Sequence, residues 1–265
     1  MKPGTVTVLG SGTSMGVPTI GCGCAVCHSQ DPRDRRTRPS VMVEWSGHRI
    51  VIDSGPDFRE QAVREGIDRL DAVLYTHGHA DHILGLDDLR PLTYARVTGG
   101  ARLPLYARPE TAQVLQSVFR YVFDDNYKYG GIAQVELREI EGPFELLDLR
   151  IIPVPVIHGD NEIIGYRIGE FAYLTDFSAV PDESIALLEG VQLVFLDALR
   201  YVPHPTHSTL SNSLQIAAKI GAAQTYFTHI SHDVEHRAAD PTLPPGVRLA
   251  YDGLRVSTDL ESQED

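Results

Sequence analysis

The sequence predicts an α/β fold, and three features of the chain lead to that prediction. Short apolar runs rich in β-branched and aromatic residues alternate with helix-like stretches along the 265 residues. Turn signals at Ser46-Gly47 and Gly169-Glu170 separate neighbouring runs, as in antiparallel hairpins. The hydrophobic share is 42%, which is typical of a globular chain with a substantial core. We therefore expect a layered sandwich of mixed sheets and not a purely parallel sheet.

The predicted elements follow one another with short connections. Six apolar runs are predicted as strands: 5–10, 41–45, 49–53, 71–76, 149–157 and 191–197. Four stretches are predicted as helices: 57–66, 108–119, 181–190 and 211–221. Three of these helices end on glycine, which favours the left-handed conformation of a C-terminal cap. The chain shows no repeat or low-complexity linker, so we expect a single domain over 1–258 and a polar tail over 259–265.

The charge balance narrows the partners. The chain has 23 Lys and Arg against 36 Asp and Glu, a formal net charge of −13. Coulomb repulsion therefore opposes non-specific binding to nucleic acid or to anionic lipid, and neither is expected as a partner. No apolar run reaches the roughly 18 to 20 residues of a membrane span, and no leader-like segment opens the chain, so we expect a cytoplasmic protein. The oligomeric state is left open, with a homodimer as one expectation.

A cluster of metal-ligand side chains directly follows the apolar run 71–76. It consists of His77, His79, Asp81 and His82. Four such groups within six residues cannot all turn to one ion from a regular strand or helix, but a loop can divide them between two adjacent ions. Imidazole and carboxylate ligands suit Zn, Mn or Fe(II). The cluster therefore predicts a binuclear metal site.

Three further candidate ligands each end an apolar run later in the chain: His158, Asp176 and His229. A single histidine is more often a satisfied structural residue than a ligand. These three residues, however, would project from the same sheet edge, which is where α/β proteins gather their sites. Together they supply the ligands that the first cluster lacks.

All three cysteines lie within six residues, at Cys22, Cys24 and Cys27. An odd number so close together excludes a disulfide framework and indicates a metal-binding loop. A reduced redox thiol set and unligated cysteines are the alternatives.

The H-x-H-x-D-H loop at 77–82 resembles that of the metallo-β-lactamase superfamily. This resemblance covers almost the whole chain and implies an αββα four-layer sandwich with two divalent metal ions, Zn or Mn. It also implies that a hydroxide shared by the two ions attacks the substrate. One ion would be held by His77, His79 and His158, the other by Asp81, His82 and His229, with Asp176 bridging them. In the family-like I-D-S-G segment, Asp53 would fix a ligand imidazole, and its alternative is a turn or cap residue.

The run LGSGTSMGVPTIGCGCAVC, with FTHISH much later, looks like the PhnP-type cyclic phosphodiesterases of phosphonate metabolism. That resemblance implies a separate structural zinc held by Cys22, Cys24, Cys27 and His232. Three thiolates and one imidazole complete a tetrahedron without an open position, so this ion would stabilise the long loop over 11–38. His229 and His232 are three residues apart, so they can serve two metals only if the chain turns between them.

The segment Pro203–Thr209 adds a candidate acid. In the cyclic phosphodiesterases and in tRNA 3′-processing endonucleases, a histidine at the position of His207 contributes to phosphodiester cleavage, near an acidic residue that Asp197 would match. A histidine oriented by a carboxylate can donate the proton that a leaving alkoxide needs. The catalytic set is then His207, Asp197 and the ligand Asp81. The alternative for His207 is a polar residue at a helix start, and His204 has no assigned role.

These features favour a metal-dependent phosphodiesterase acting on a small, cyclic, anionic phosphate diester. Two divalent ions with Asp81, Asp176 and one hydroxide carry a formal charge of plus one, which favours a compact anion. One alternative is tRNA 3′ processing, favoured by the H-S-T run at 207–209 but opposed by the acidic balance. Another is a non-catalytic metal-binding accessory protein of a cofactor pathway, as in pyrroloquinoline-quinone biosynthesis. Thioester or lactam hydrolysis is less favoured.

Two segments remain. Gly10-Ser11-Gly12 does not match G-x-G-x-x-G, so we reject dinucleotide binding and expect a tight turn there. The stretch 96–134 carries aromatic residues around an Asp-Asp-Asn turn: Phe119, Tyr121, Phe123, Tyr127 and Tyr129. It is either a flap over a pocket or a helix that packs its aromatic side chains on the body.

Overall fold

Two seven-stranded sheets pack face to face in the computed structural model, which describes residues 2–97, 101–124, 126–127 and 130–261. The strands are β1 (Pro3–Gly10), β2 (Ser40–Trp45), β3 (His48–Ile52), β4 (Ala72–Leu74), β5 (Leu103–Ala107), β6 (Val135–Glu139), β7 (Phe144–Leu146), β8 (Leu149–His158), β9 (Asn161–Ile168), β10 (Phe171–Leu174), β11 (Leu193–Asp197), β12 (Gln224–Thr228), β13 (Val247–Leu249) and β14 (Arg255–Asp259). The helices are α1 (Phe58–Glu65), α2 (Ala80–Ile83), α3 (Arg90–Val97), α4 (Pro109–Val118), α5 (Asp182–Ala186), α6 (Leu210–Ile220) and α7 (His236–Ala239). Every strand and helix predicted from the sequence is present.

Both sheets are mixed, as predicted. The first has the order β14-β1-β2-β3-β4-β5-β6, and the second has the order β13-β12-β11-β10-β9-β8-β7. In the first sheet β3 to β6 run parallel, whereas β2 and β3 form a hairpin. Ser46 and Gly47 both have positive φ in that hairpin, which is the backbone of a type I′ turn. Gly169 likewise adopts positive φ between the antiparallel strands β9 and β10.

Three apolar layers hold the sheets and helices together. The central layer lies between the sheets, and Val6 and Val43 of the first sheet meet Phe171 and Phe195 of the second in it. The outer face of the first sheet is covered by α1, α2 and α4, and the outer face of the second by α5, α6 and α7. Alternation along the strands produces this division, since successive side chains point to opposite faces. The result is the predicted αββα sandwich.

The glycines near the end of β1 are explained by a close approach between two chain segments. A Cβ at Gly10 would lie 1.9 Å from the Arg38 carbonyl oxygen, and one at Gly12 would lie 2.7 Å from the Arg36 carbonyl oxygen. The expectation of a tight turn is therefore corrected: these residues are glycine because the 36–38 backbone passes against them.

The polar tail begins later than the sequence suggests. β14 continues through Asp259, and Leu260 is 2% exposed within the central apolar layer. The backbone N–H of Leu260 also donates to the carbonyl of Lys2. A single leucine in an acidic segment gives too little hydrophobic pattern to reveal this pairing.

The aromatic stretch 96–134 is divided in its contacts. Phe119 is buried in the apolar layer beneath α4, and Phe123 packs against the same layer. Tyr121 and Tyr127 are partly exposed, and their ring centroids lie 5.8 Å apart. Tyr129 lies outside the described residues. The two phenylalanines favour the prediction that this stretch packs on the body and not the prediction of a flap. Among the described aromatic residues of the stretch, none lines the cavity beside the candidate metal ligands.

Among the described residues, no helix combines the length and the apolar character that crossing a bilayer requires.

Candidate metal centre

The histidine-rich loop lies at the end of β4, at the edge of the sandwich where both sheets meet. β4 is buried and ends at Leu74, and the chain then runs through an irregular segment to α2. His77, Asp81 and His82 are buried there, whereas His79 is exposed. A short helix that starts after His79 turns Asp81 and His82 in a different direction from the two preceding histidines. The local fold thus divides the four side chains into two groups.

The three later candidates all come from the second sheet. His158 ends β8, while Asp176 and His229 follow β10 and β12. β8 runs parallel to β10 because each is antiparallel to β9, and β10, β11 and β12 are parallel to one another, so all three side chains emerge at the same edge. Asp176 and His229 have φ values of 57° and 56°, a left-handed conformation that is uncommon outside glycine and frequent at functional sites.

The seven predicted ligands converge into two adjacent clusters. In each cluster the candidate ligand atoms lie within 4.8 Å of one another: His77, His79 and His158 in one, and Asp81, His82, Asp176 and His229 in the other. Asp176 Oδ2 lies 3.3 Å from both His82 Nε2 and His229 Nε2 and 4.0 Å from His77 Nε2. This carboxylate therefore lies between the two clusters.

Four buried ligand atoms without a hydrogen bond show that the clusters suit metal ions. They are His77 Nε2, His82 Nε2, His229 Nε2 and Asp81 Oδ2, and among the described residues they make only ion-pair contacts with one another and with Asp176. A buried polar atom without a hydrogen bond is costly unless an opposite charge or a metal compensates it. The mixture of imidazole and carboxylate donors is one that divalent transition metals accept. The residues present fit divalent metal ions.

Electrostatics within the clusters support the same conclusion. Burial alone would lower the pKa of His229, but the neighbouring Asp176 and Asp81 raise it to about 9. Burial alone would raise the pKa of Asp176, yet His229 and His82 hold it well below its usual value. In the protein without metal, protonated imidazoles thus balance buried carboxylates. Divalent ions would replace those protons, so that metal binding releases protons.

Hydrogen bonds orient two of the ligand imidazoles. His82 Nδ1 lies 2.7 Å from Asp53 Oδ2, while Asp53 also accepts bonds from the backbone N–H and the hydroxyl of Thr76, each at 2.8 Å. His158 Nδ1 lies 2.9 Å from the carbonyl oxygen of Thr206. Both imidazoles therefore present Nε2 to the clusters. The sequence indicated Asp53 but not Thr206, because a backbone carbonyl leaves no sequence signal.

His207 and Asp197 form a pair beside the clusters. His207 Nδ1 lies 2.9 Å from Asp197 Oδ2, and the His207 ring lies 4.9 Å from the ring of His158 and 4.6 Å from that of His229. Asp197 is fully buried, and burial raises its pKa although the hydrogen bond to His207 opposes that shift. The same Asp197 carboxylate accepts the Phe177 backbone N–H at 3.1 Å. The structure therefore places His207 beside Asp197 and next to ligand histidines of both clusters.

His204 lies next to this pair. Its Nδ1 accepts a hydrogen bond from the Thr206 hydroxyl at 3.1 Å, and its ring lies 5.1 Å from the ring of His207. The residue that had no assigned role thus supports the loop that carries His207.

The cysteine loop meets His232 at a second site. The Sγ atoms of Cys22, Cys24 and Cys27 lie 3.2, 3.4 and 3.7 Å from His232 Nδ1. The backbone N–H of Cys27 and the His232 ring lower the pKa of Cys24 to about 6, which favours the thiolate that binds metal. Three thiols and one imidazole at these spacings fit a closed tetrahedral zinc site.

Ile230 and Ser231 separate the two histidines of T-H-I-S-H. His229 adopts a left-handed backbone, the Ile230 N–H donates to the Ser11 carbonyl, and the Ser231 N–H donates to the Leu199 carbonyl. The chain therefore turns between His229 and His232, and each histidine faces a different cluster.

A buried ion pair that the sequence did not reveal joins the cysteine loop to this segment. Arg36 and Asp34 side chains are 0% and 1% exposed, with Arg36 Nη2 2.9 Å from Asp34 Oδ1. Arg36 also donates to the carbonyls of Ser231 and Val234 at 2.9 and 2.8 Å. A loop arginine is ordinarily predicted to be solvent-exposed, so only the folded structure shows that Arg36 links the cysteine loop to the segment around Ser231 and Val234.

A cavity of about 510 Å³ opens beside the first cluster. It is lined by His77, His79 and His158, by the N-terminus of α4 and by the β8–β9 hairpin. It gives a substrate access to the first ligand cluster.

Comparisons with known proteins agree with this architecture. The model of the beta-lactamase superfamily domain matches residues 48–230. A crystal structure described as a new diphosphatase from the PhnP family is 59% identical, covers 97% of this chain and 98% of its own, and superposes with a TM-score of 0.92. An octanoyltransferase of Porphyromonas gingivalis is 41% identical over 257 residues, which are 95% of this chain. A ribonuclease Z of Methanopyrus kandleri is 30% identical over 153 residues, which are 56% of this chain. The chain spans about half the length of these two relatives, 51% and 48% respectively.

Proposed function

The chain belongs to the metallo-β-lactamase superfamily, close to its PhnP-type members, and from that premise we propose that it is a binuclear-metal-dependent phosphodiesterase. The observation that carries the proposal is the position of the His207–Asp197 pair beside two clusters of metal ligands. A histidine–carboxylate pair at that place can supply the proton that an alkoxide leaving group needs. A lactam nitrogen needs a proton as well, and it is the phosphate chemistry named for two relatives that favours the phosphodiester.

The metal ions would be held by the two clusters. His77, His79 and His158 would hold one ion, Asp81, His82 and His229 the other, and Asp176 both. Bound there, divalent cations would lower the pKa of a coordinated water and neutralise charge on the phosphate oxygens. The proposal includes zinc or manganese as the active-site metal, because mixed imidazole and carboxylate donors suit either ion.

The protein residues would orient the ligands and move one proton. Asp53 holds His82, and the Thr206 carbonyl holds His158, so that the ligand nitrogens stay aimed at the ions. Asp197 accepts from His207 Nδ1, which leaves Nε2 of His207 for the departing oxygen. His207 would donate its proton from Nε2 as the bond from phosphorus to that oxygen breaks.

The substrate is proposed to be a small phosphate diester, cyclic in the simplest case. A structure that is 59% identical and covers 97% of this chain is described as a diphosphatase, and the shorter ribonuclease Z match also concerns phosphate chemistry. The net charge of −13 disfavours a long polyanion such as RNA. The cysteine site is proposed to carry a structural zinc that takes no part in the reaction.

The test uses metal-loaded protein and several diesters. Bis(p-nitrophenyl) phosphate, ribose 1,2-cyclic phosphate and nucleoside 2′,3′-cyclic phosphates would be assayed alongside p-nitrophenyl acetate as an ester control. We expect turnover of at least one diester and loss of that turnover on chelation. Absence of diester turnover with both clusters metal-loaded would end the proposal.

A second candidate is tRNA 3′ processing, favoured by the ribonuclease Z relative and by the H-S-T run at 207–209. A gel shift with precursor tRNA separates the two functions, since a tRNA enzyme requires salt-sensitive binding. The name octanoyltransferase applies to a protein about twice as long as the matched region and is not assigned to this chain.

A further inference from the structure

The loop between β11 and α6 is closed at its base by backbone hydrogen bonds. The Leu199 N–H donates to the Ser208 carbonyl at 3.0 Å. The Leu210 N–H donates to the Arg200 carbonyl at 3.2 Å. Residues 201–207 between these bonds include the partly buried His207, so the loop is anchored on both sides of the proposed proton donor.

Thr206 connects this loop to the first ligand cluster in two ways. Its carbonyl oxygen accepts a hydrogen bond from His158 Nδ1 at 2.9 Å. A Cβ at Gly159 would lie 2.8 Å from Thr206 Cγ2, so glycine after His158 lets the Thr206 methyl group pack against the chain there. The direction in which the His158 ring points therefore depends on the position of the Thr206 backbone.

His204 in turn holds Thr206. Its Nδ1 lies 3.3 Å from the Thr206 backbone nitrogen and 3.1 Å from the Thr206 hydroxyl. Because a backbone N–H only donates, Nδ1 is the acceptor, and the neutral ring carries its proton on Nε2. Burial and the neighbouring His207 lower the pKa of His204, which favours this neutral form. The flanking Pro203 and Pro205 restrict the backbone of His204, so little conformational freedom remains to be lost in holding its ring.

The proton donor directly follows Thr206 in the chain. His207 Nδ1 lies 2.9 Å from Asp197 Oδ2, and the His207 ring lies 5.1 Å from the ring of His204. A shift of the Thr206 backbone would therefore move the start of His207 while Asp197 holds the end of its side chain. One residue, Thr206, thus borders both a candidate ligand and the proposed proton donor.

We propose that His204 is a positioning residue that aligns the metal ligand His158 and the proton donor His207 together, through Thr206. Loss of the Nδ1 acceptor would free the Thr206 N–H and hydroxyl, so that the Thr206 backbone can shift. His158 would then be held less firmly toward the first cluster, and His207 would be misaligned toward the leaving oxygen. The inference rests on the proposed function and adds to it a residue that coordinates two of its parts.

Two amide variants separate the two nitrogens of the His204 ring. In His204→Asn the amide oxygen lies near the place of Nδ1 and can accept from Thr206. In His204→Gln the amide lies near the place of Nε2, and the acceptor for Thr206 is lost. Asparagine should therefore preserve what glutamine loses. His48→Gln is the control for the loss of a partly buried histidine, since His48 lies at the start of β3, with Nδ1 3.6 Å from Asp71.

Zinc retention gives the first readout. Zinc-loaded proteins would be equilibrated with increasing concentrations of a chelator, and the zinc left per chain would be measured. In His204→Gln we expect one zinc per chain to be lost at an about tenfold lower chelator concentration than in the wild type, since His204 acts on the ligand only through Thr206. His204→Asn and His48→Gln should retain zinc as the wild type does, and the zinc at the cysteines should be unaffected in all of them.

The dependence on the leaving group gives a second readout, which a merely structural role would not change. For a nucleoside 2′,3′-cyclic phosphate, whose leaving alkoxide needs a proton, kcat/KM of metal-saturated His204→Gln should fall about tenfold more than for bis(p-nitrophenyl) phosphate. His204→Asn should show no such difference between the two diesters.

The outcomes separate this inference from the proposed function. Wild-type zinc retention in His204→Gln, equal losses on the two diesters, or equal impairment of His204→Asn and His204→Gln each overturns the inference. Impairment of His204→Asn alone also overturns it and would indicate that Nε2 contacts the substrate. Absence of diester turnover in the metal-loaded wild type contradicts the proposed function, whereas zinc retention still decides whether His204 supports His158.

Discussion

His207 Nδ1 lies 2.9 Å from Asp197 Oδ2, and this hydrogen bond joins the end of β11 to the loop that precedes α6. Asp197 is the last residue of β11, and His207 lies in the loop that leads into α6. The Ser213 hydroxyl donates to the Asp197 carbonyl, which ties the start of α6 to the end of β11. This arrangement fixes the His207 ring beside the metal ligands.

Replacement of His207 by alanine should reveal a proton donor through its dependence on the leaving group. For a nucleoside 2′,3′-cyclic phosphate, whose leaving alkoxide needs a proton, kcat/KM should fall about 10²- to 10⁴-fold. For bis(p-nitrophenyl) phosphate the loss should stay below about tenfold, because p-nitrophenolate departs without a proton. Equal losses on both substrates would assign His207 to metal binding or to the fold instead.

Replacement of Asp53 by asparagine should weaken metal binding without unfolding the protein. Asp53 has a φ of 65°, which asparagine tolerates, but an amide cannot hold the His82 imidazole as a carboxylate does. We expect metal affinity at the binuclear site to fall about 10- to 100-fold. Competition with a chelator measures this affinity, and an unchanged value would make Asp53 a turn residue.

Replacement of Arg36 by methionine should destabilise the protein by about 3–5 kcal/mol, because Asp34 would remain buried without its partner. Arg33→Met is the matched control, since Arg33 pairs with Asp31 at 2.7 Å but is 39% exposed and should cost about 1 kcal/mol or less. Urea unfolding of the two variants gives both values. Similar losses in the two would show that the buried pair is not a special connection between the segments.

Acid should destabilise the fold partly through His236. Burial, with the nearby Arg33 and Arg36, lowers its pKa from 6.5 to about 4. A histidine with a depressed folded-state pKa contributes stability above 6.5 that is lost as pH falls toward 4, since the unfolded chain takes up the proton more readily. Between pH 7 and pH 5 the wild type should therefore lose about 2 kcal/mol more than His236→Gln. Unfolding free energies of both proteins at both pH values test this, and parallel pH dependences would contradict it.

Much of the fold could be predicted because its strands are buried and its helices are amphipathic. The β2–β3 hairpin, with Ser46 and Gly47 at positive φ, is an example in which local turn chemistry agrees with the final structure. Leu260 shows the limit, because its burial depends on a strand pairing that its polar neighbours conceal.

The candidate site likewise has parts that could be predicted from the sequence and parts that could not. The ligand side chains could be predicted because each stands at the end of an apolar strand, and parallel strands bring such ends together. The Thr206 carbonyl and the Arg36–Asp34 pair could not, because a backbone acceptor has no residue signature and a loop arginine ordinarily faces solvent. Their roles arise from tertiary contacts alone.

Metal analysis of purified protein beside the Cys22→Ser variant tests the central claim most directly. If two neighbouring ions are held by the His77 and His82 clusters and a third by the cysteines, the wild type should carry three divalent ions per chain. The variant should then carry two, with diester turnover retained and thermal stability reduced. A wild type that binds no ion beyond trace amounts, or a variant that loses every ion together with Cys22, would contradict the account.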